Sequence, residues 1–244
     1  MDTSLNKYIS DSGFCSRREA DKYIDDCRVT INGRDAHKGN RVNPGDDVRI
    51  DGEPLKKKKA PVYIMLNKPK GVTCTTDTKD KTNIIDYVNY KTRIFPIGRL
   101  DKLSEGLIFL TNDGDIVNKI LRAGNGHEKE YIVTVDNPID HHFIDQMRNG
   151  VKILGTITKS CFVKQEGNQK FRIILTQGLN RQIRRMCETL GFRVTSLKRI
   201  RIMSFSLNGI APGKWRYFSP VEISTINEML QHSSKTDDGE SMGE

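Results

Sequence analysis

The stretch GRLDKLSEGLIFLTNDG, residues 98–114, is the most informative part of the chain. Asp101 stands between two basic residues in a turn-like segment that ends at Gly106, and an apolar run, residues 107–110, follows. Such a run between turn residues predicts a buried strand. The carboxylate then lies on a tight loop that enters the core, where a rigid scaffold can direct one reactive group. The alternative is a turn aspartate that only bonds its own backbone.

The composition limits the classes of protein to which the chain can belong. Its 244 residues allow one large domain, or a small domain joined to a medium one. No segment approaches the about 20 apolar residues of a membrane span, and the first residues do not read as a secretory signal. The five cysteines form no C-x-x-C pair, so we expect no disulfide framework, no metal site and a reducing cytoplasm.

The charge distribution points to a polyanionic partner. The formal net charge is +9, which by itself is weak support for nucleic-acid binding. Residues 178–203, however, carry seven basic side chains and one acid. Like charges crowded together destabilise a fold unless a polyanion neutralises them, so this segment predicts a nucleic-acid partner.

Residues 1–55 have the pattern of a small module of two helices followed by strands. A short apolar helix face comes first, and Ser16 with Glu19 predicts a capping box at the start of a second helix. Asn32 and Gly33 follow a β-branched run and predict a hairpin turn.

This order resembles the S4 domain, and the resemblance rests on residues 13–20, 28–33 and 44–48. It implies a small N-terminal S4 (αL) RNA-binding domain whose second helix and flanks contact structured RNA. A capped surface helix with solvated charges is the alternative. The residues that would contact RNA here are Arg17, Arg18, Lys22 and Arg28.

The rest of the chain divides into three segments. Four lysines followed by Ala-Pro predict a basic linker at residues 56–61. Residues 62–232 would form the larger domain. Residues 233–244 are acidic and poor in apolar side chains, and we expect a disordered tail there.

The larger domain mixes strand and helix patterns without regular alternation. Besides the run at 107–110, strands are predicted at residues 62–66, 131–135, 171–175 and 194–197. Helices are predicted at residues 115–122, 141–149, 181–190 and 220–230. This irregular order favours an α+β fold, with a mainly antiparallel mixed sheet flanked by helices, over a doubly wound sheet.

Four ordered motifs resemble those of the RsuA-type pseudouridine synthases. They are the 98–114 segment, NKPKG at 67–71, KEYIV at 129–133 and GLNRQIRRM at 178–186. With the S4-like module, the resemblance covers about residues 4–230, and residues 120–131 are most similar to the branch that modifies 23S ribosomal RNA. It implies a pseudouridine synthase catalytic domain that flips a uridine into a cleft and isomerises it without a cofactor or a metal.

The resemblance also implies three catalytic residues. Asp101 would supply the carboxylate that acts near C1′ of the ribose, and Arg184 would hold a guanidinium against it and orient it. Arg181 and Arg185 are rivals for that role, because motif alignment and not spacing selects Arg184. Tyr131 would stack on the flipped uracil, although a core tyrosine at a strand start is the alternative.

The remaining site residues expected in the larger domain are RNA contacts and an apolar floor. The floor would consist of Leu197 and Ile200, for which ordinary core packing is an equal explanation. The expected RNA contacts are Lys68, Arg99, Lys129, Asn180, Arg181, Arg185, Lys198 and Arg199.

The implied partner is 23S ribosomal RNA, free or in a precursor of the ribosomal subunit, with transfer RNA as a second candidate. We expect a monomer that binds no membrane. The alternative function is a non-catalytic S4-type RNA-binding or ribosome-assembly factor, which would have no need of Asp101, Tyr131 and Arg184 together. Whether Asp101 adds to the sugar or assists a glycal route is left open by the sequence.

Overall fold

The computed structural model describes residues 2–56 and 60–231. The predicted linker at 56–61 lies partly outside these residues, and the predicted tail at 233–244 lies wholly outside them. Within the described residues, no helix is both long enough and apolar enough to cross a bilayer.

The chain divides into two compact units. The first runs to Val62 and includes the short segments 91–93 and 112–114. The second contains residues 63–90, 94–111 and those from 115 onward. The sequence patterns do not predict that the two short segments belong to the first unit.

The first unit contains the two predicted helices followed by short strands. In chain order the elements are β1 (Thr3–Ser4), α1 (Leu5–Asp11), α2 (Arg17–Asp25), β2 (Val29–Ile31), β3 (Arg34–Asp35), β4 (Arg41–Val42), β5 (Val48–Ile50) and β6 (Glu53–Pro54). The strands form a four-stranded sheet in the order β3-β2-β5-β6 and a separate β1-β4 pair. The helices bury Leu5, Ile9, Ala20 and Ile24 in one apolar core with the strands.

Two local sequence signals in this unit are confirmed. The Ser16 Oγ accepts a hydrogen bond from the Glu19 amide at 3.2 Å, and the Glu19 carboxylate accepts one from the Ser16 amide at 2.8 Å. This capping box begins α2. Asn32 and Gly33 both have positive φ, at 53° and 78°, as the tight hairpin turn between β2 and β3 requires.

The second unit contains most of the strands and five of the helices that the structure describes. In chain order its elements are β7 (Tyr63–Lys68), α3 (Ile84–Val88), β8 (Phe95–Ile97), β9 (Glu105–Thr111), α4 (Gly114–Leu121), a 3₁₀ turn (Ala123–Asn125), β10 (Lys129–Val135), α5 (His141–Asn149), β11 (Lys152–Ile153), β12 (Thr156–Ile157), β13 (Phe162–Gly167), β14 (Lys170–Leu175), α6 (Gln182–Thr189), β15 (Val194–Ile202), β16 (Phe205–Ser206), β17 (Trp215–Tyr217) and α7 (Pro220–Met229).

A nine-stranded mixed sheet organises the second unit. Its main order is β13-β14-β10-β15-β9-β7-β17, with β16 beside β15 and β8 beside β9. In this sheet β9 and β15 run parallel, and the other neighbouring strands run antiparallel. The predicted α+β fold with a mainly antiparallel mixed sheet is therefore confirmed.

Several elements differ from the sequence prediction. The strands β8, β13 and β17 and the helix α3 are not among the predicted elements. The strand predicted at 194–197 continues to Ile202, so the basic residues after it belong to β15 and not to a loop. β8 and β17 have only three residues, β13 buries only Val163, and the added part of β15 mixes apolar with basic residues. The local signal is therefore weak, and pairing with neighbouring strands defines these elements.

Two apolar layers cover the sheet. On one side, Phe109 of β9 packs edge-on against Phe205 and Phe218, at ring-centroid distances of 5.9 and 5.0 Å, and α4 and α7 add isoleucines to this cluster. On the other side, Phe143 of α5 packs against Phe171 of β14, with ring centroids 5.3 Å apart.

Gly106, at the start of β9, permits the parallel pairing. It is the register partner of Arg199 in β15 and has a φ of 110°. A Cβ atom at this position would lie 2.1 Å from the backbone oxygen of Arg199, far inside van der Waals contact. Any other residue would push β9 away from β15 and strain the backbone.

Gly106→Ala should therefore destabilise the second unit strongly. We expect the free energy of unfolding in urea to fall by about 3 kcal/mol or more, because the clash is with backbone and cannot relax by a rotamer change. Gly124→Ala is the matched control, since its Cβ would meet open space and its φ is not positive. Similar unfolding midpoints for the two variants would contradict this account.

Candidate active site

A cavity of about 450 Å³ opens in the second unit where segments distant in sequence meet. Its walls come from the loop between β8 and β9, the start of β10, the end of β14, the start of α6, and β15. Asp101, Tyr131 and Arg184, the three predicted catalytic residues, all line it.

Asp101 lies in a tight turn at the rim of the cavity. The turn is closed by a 2.9 Å hydrogen bond from the Ser104 amide to the Asp101 backbone oxygen. The carboxylate is 34% exposed, so a ligand can reach it. One carboxylate oxygen, Oδ2, lies 3.4 Å from Arg184 Nε and 3.4 Å from Arg181 Nη1. Arg181 donates a hydrogen bond to this oxygen, whereas Arg184 forms only an ion pair with it.

The two arginines beside Asp101 differ in burial. The Arg184 side chain is 9% exposed, whereas that of Arg181 is 43% exposed. Arg181 has a left-handed backbone, with a φ of 50°, and precedes the first residue of α6. Arg185, the third candidate from the sequence, bonds the backbone and side chain of Asn180 instead. The structure therefore brings two of the three arginines to the carboxylate.

Arg184 is held in place from two sides. Its Nη2 donates to the Ser104 hydroxyl at 3.1 Å, and its Nη1 donates to the backbone oxygen of Val194 at 3.3 Å. Ser104 is itself buried and belongs to the same turn as Asp101. The turn, the carboxylate and the guanidinium therefore form one connected unit.

Tyr131 stands on the sheet floor of the cavity. It pairs with Ile173 of β14 on one side and with Arg199 of β15 on the other, so these side chains share a face. Leu197, two residues before Arg199, lines the same face. Tyr131 is 9% exposed, so a stacking partner would have to enter the cavity to reach its ring.

Two further cations, Lys129 and Arg199, lie at the same floor with exposures of 8% and 4%. The Lys129 ammonium donates to the backbone oxygen of His127 at 3.2 Å, and the Arg199 Nε donates to that of Leu107 at 2.6 Å. Burial, together with the charge of Arg199, lowers the pKa of Lys129 to about 8. The cavity therefore combines buried positive charge with one accessible carboxylate.

The opposite face of the sheet carries an ion-pair network directly behind Tyr131. Glu130 accepts hydrogen bonds from Arg172 of β14 and from Arg201 of β15. Arg201 also pairs with Glu128 at 2.8 Å. Burial acts to raise the pKa of Glu130, but the two guanidinium groups outweigh it and hold that pKa below its usual value. The network ties together the three strands that carry the cavity floor.

Two predicted site residues are contradicted by the structure. Lys68 is fully buried, and its ammonium donates to the backbone oxygens of Pro69 and Val72 at 2.9 and 2.8 Å. It supports the loop after β7 and cannot contact RNA. Ile200 falls between register pairs at a bulge of β15 and does not line the cavity, so it is not part of an apolar floor.

The other predicted RNA contacts fall into two sets. Arg99, Lys129, Asn180, Arg181 and Arg199 line the cavity, whereas Lys198 and Arg185 do not. In the first unit, the predicted contacts Arg17, Arg18, Lys22 and Arg28 are all exposed. Arg28 is paired with Asp51 at 2.6 Å and lies over the Tyr23 ring, 4.4 Å from its centroid.

Sequence reasoning missed the supporting roles of Ser104 and Gln182. Ser104 anchors Arg184, and the buried Gln182 accepts a 3.0 Å hydrogen bond from the Leu179 amide, which shapes the loop before α6. The spacing of Ser104 three residues after Asp101 is the only local hint, and it suggests a turn rather than an arginine anchor.

The described part of the chain contains no cluster of side chains that could serve as a metal site. Among residues 2–56 and 60–231, no cluster of three or more His, Cys, Asp or Glu side chains could hold a metal ion. The five cysteines are free. Burial raises the pKa of the Cys187 thiol to about 12 and that of Cys161 to about 11, so these thiols are poor ligands as well as poor nucleophiles.

Comparison with known proteins agrees with this geometry. The family model of RNA pseudouridylate synthase matches residues 62–189, and that of the S4 domain matches residues 3–48. The dual-specificity RNA pseudouridine synthase RluF of Escherichia coli K12 is 56% identical over 232 residues, which cover 94% of this chain and 80% of RluF.

More distant relatives cover nearly the same span. The ribosomal large subunit pseudouridine synthase B of Bacillus subtilis 168 is 30% identical over 237 residues, or 93% of this chain and 97% of the relative. A crystal structure of pseudouridylate synthase is 27% identical, has a TM-score of 0.67, and matches 91% of this chain and 99% of its own. The chain therefore belongs to the RNA pseudouridylate synthase family, as an S4-containing member of the RsuA type, and is an isomerase that acts on RNA.

Proposed function

We propose that this protein converts one specific uridine of 23S ribosomal RNA into pseudouridine, with Asp101 as the catalytic carboxylate. The observation that carries the proposal is the Asp101 Oδ2 atom, 3.4 Å from both Arg184 Nε and Arg181 Nη1 at the rim of the cavity. A volume of about 450 Å³ suits a single base that has left the RNA stack.

The reaction moves the ribose from one atom of the uracil to another. The bond between N1 of the base and C1′ breaks, the base turns within the cavity, and C5 bonds to C1′. Asp101 acts at the sugar, either as a nucleophile on C1′ or as a base on a neighbouring proton. The oriented, partly exposed carboxylate supports either role, and Arg184 keeps its geometry through Ser104.

Tyr131 and Leu197 are proposed to hold the flipped base. A base taken out of the helix loses its stacking neighbours, and an aromatic ring restores about 1–3 kcal/mol per base. The position of Tyr131 on the cavity floor beside Leu197 supports this role, because both side chains present apolar surface to the same space.

The exposed cations are proposed to bind the RNA backbone. Arg99 and Arg181 lie at the cavity rim and are exposed, which suits phosphates on either side of the flipped nucleotide. In the first unit Arg17, Arg18 and Lys22 are proposed to bind structured RNA. Contacts of this kind give affinity and register, while the cavity selects the base.

The proposed substrate range includes a second RNA. The RluF relatives carry the name dual-specificity RNA pseudouridine synthase, which supports two RNA substrates for this chain. We propose transfer RNA as the second. Ribosomal RNA as substrate implies a cytoplasmic enzyme, which the five free cysteines also favour.

Asp101→Asn should abolish turnover while leaving RNA binding intact. The amide keeps the size of the side chain but can neither attack C1′ nor take the proton from the neighbouring carbon, so we expect at least a roughly thousandfold loss of rate. Tritium release from 23S RNA transcripts carrying [5-³H]uridine measures turnover, and gel shift measures binding. Asp145→Asn, on the exposed surface of α5, is the matched control. Comparable rates for the two variants would overturn the role of Asp101.

Arg184→Lys and Arg181→Lys should have different effects. The buried Arg184 is fixed beside the carboxylate by hydrogen bonds to Ser104 and Val194 that lysine cannot reproduce, so kcat should fall about 100-fold or more. The exposed Arg181 faces the RNA side, so its substitution should mainly raise the KM. Steady-state kinetics on the same transcript separates the two effects, and a larger kcat loss for Arg181→Lys would reverse the assignment.

The double variant Arg17→Ala/Arg18→Ala should weaken binding without slowing the chemical step. Removing two phosphate contacts should reduce the slope of log Kd against log salt by about 1.5, while the single-turnover rate at saturating enzyme stays unchanged. Lys38→Ala is the control, because the Lys38 charge is already paired with Asp25 at 2.5 Å. An unchanged salt slope in the double variant would show that α2 does not contact the RNA.

A further inference from the structure

Lys129 and Arg199 form a buried pair of like charges that the proposed roles do not explain. They come from the neighbouring strands β10 and β15, flank Tyr131 on the cavity floor, and are 8% and 4% exposed. Two cations so far from solvent are costly for a fold unless an anion pairs with them.

Neither cation has a carboxylate partner among residues 2–56 and 60–231. The hydrogen bonds that the structure gives them go to the backbone oxygens of His127 and Leu107. The Nη2 atom of Arg199 is buried and has no hydrogen-bond partner in the same residues. The lowered pKa of Lys129, caused by burial and by Arg199, reflects this uncompensated charge. The floor is therefore built to receive negative charge from a ligand.

The depth of the pair decides which part of the RNA can reach it. The carboxylate of Asp101 is already beside Arg184 and Arg181 at the rim. The exposed Arg99 and Arg181 are where a phosphate can bind while it remains partly hydrated. The flipped base penetrates further than its own phosphates, so the base is the group that meets the floor beside Tyr131.

We propose that Lys129 and Arg199 form a subsite for the uracil anion that is released when the glycosidic bond breaks. This inference rests on the proposed function and adds a ligand to the cavity floor. The electron pair of the N1–C1′ bond leaves with the base, which becomes a monoanion delocalised over N1, O2 and O4. The two cations donate hydrogen bonds to this anion and remain protonated throughout.

The remaining steps balance without another reactant. C1′ is left electron-deficient beside Asp101 and then bonds to C5 of the turned base. C5 loses one proton and N1 gains one, so the product is neutral and isomeric with the substrate. Because the negative charge develops only as the bond breaks, the subsite stabilises the transition state more than the bound uridine. Lys129 is thus a catalytic residue in this proposal.

Lys129→Met and Lys129→Arg test the subsite in the full-length protein. For Lys129→Met we expect the single-turnover rate to fall about 100-fold or more, with the Kd for the RNA transcript changed by less than about threefold. Lys129→Arg keeps the charge and should recover most of the rate. Lys170→Met, on the exposed end of β14, is the matched control and should behave as the wild type.

A substrate with a better leaving group separates this role from a structural one. Fluorine at C5 withdraws electrons and stabilises the uracil anion without the help of the protein. We therefore compare the rate of glycosidic-bond cleavage in RNA that carries uridine or 5-fluorouridine at the target position. The fold-loss of rate caused by Lys129→Met should be at least tenfold smaller for the 5-fluorouridine RNA. If Lys129→Met only displaced the strands of the cavity floor, the cleavage rates of both substrates would fall by the same factor.

The pH profile gives an independent measurement. Only protonated Lys129 binds the anion, so kcat/KM of the wild type should fall as the pH rises, with a midpoint near the Lys129 pKa of about 8. In Lys129→Arg this decline should be absent, because the guanidinium stays charged. The charged and titratable groups that line the cavity with Lys129 are Arg99, Asp101, Tyr131, Arg181, Arg184 and Arg199, and His127 accepts the Lys129 hydrogen bond through its backbone oxygen.

Two results would overturn the subsite. Equal losses on uridine and 5-fluorouridine RNA would reduce Lys129 to a structural residue, and a loss confined to the Kd would make it a phosphate contact. If Lys129→Met fails to fold, the pH profile of Lys129→Arg decides the question alone. Failure of the proposed function is distinguishable, because wild type and Asp101→Asn would then be equally inactive on the transcript while Lys129 is untouched.

Discussion

The close approach of β9 to β15 at Gly106 is the constraint on which the site depends. Arg199 is the register partner of Gly106 on one side and of Tyr131 on the other. The Asp101 loop, which enters β9 at Glu105, and the cavity floor on β10 are therefore separated by two strand spacings, about 10 Å. A side chain at Gly106 would widen that separation, because the obstacle is the Arg199 backbone. The geometry of the proposed catalytic site thus follows from a strand pairing that only glycine allows.

Positive charge serves different purposes at different depths of the cavity. Arg99 and Arg181 are exposed, which suits the phosphate contacts proposed for them. Arg184 lies deeper and is fixed by hydrogen bonds to Ser104 and Val194 beside the Asp101 carboxylate, which supports the proposed orienting role. At the floor, solvent no longer screens the charges of Lys129 and Arg199. Unpaired charge there destabilises the fold and interacts strongly with a bound anion. This gradation from rim to floor follows from burial alone, since the residue types are alike.

The two faces of the sheet carry different groups: one face holds an ion-pair network, and the other lines the cavity. Behind the floor, Glu130 links β14 and β15 through Arg172 and Arg201. On the cavity side, Lys129 and Tyr131, the two residues that flank Glu130 in β10, line the cavity. Strand alternation makes this possible, because neighbouring residues of β10 point to opposite faces. Family membership argues against the alternative of a non-catalytic S4-type factor. Such a factor would account for the first unit but not for the nine-stranded sheet of the second.

The sequence by itself determined the short-range structure of the chain. The capping box at Ser16, the hairpin at Asn32 and the helix at residues 141–149 were all predictable, since each depends on residues a few positions apart. The order of the motifs also identified the family, and with it Asp101 as the candidate carboxylate. Mixed α+β architecture followed from the irregular order of strands and helices.

Only the tertiary structure decided which of these residues meet. Arg181, Arg184 and Arg185 lie within one helical turn of sequence, and their burial and partners separate them. Lys68 carries a charge that suggests RNA, yet pairing in β7 buries it against backbone oxygens. These outcomes depend on contacts between residues far apart in the chain, and the spacing of residues along the chain does not give such distances.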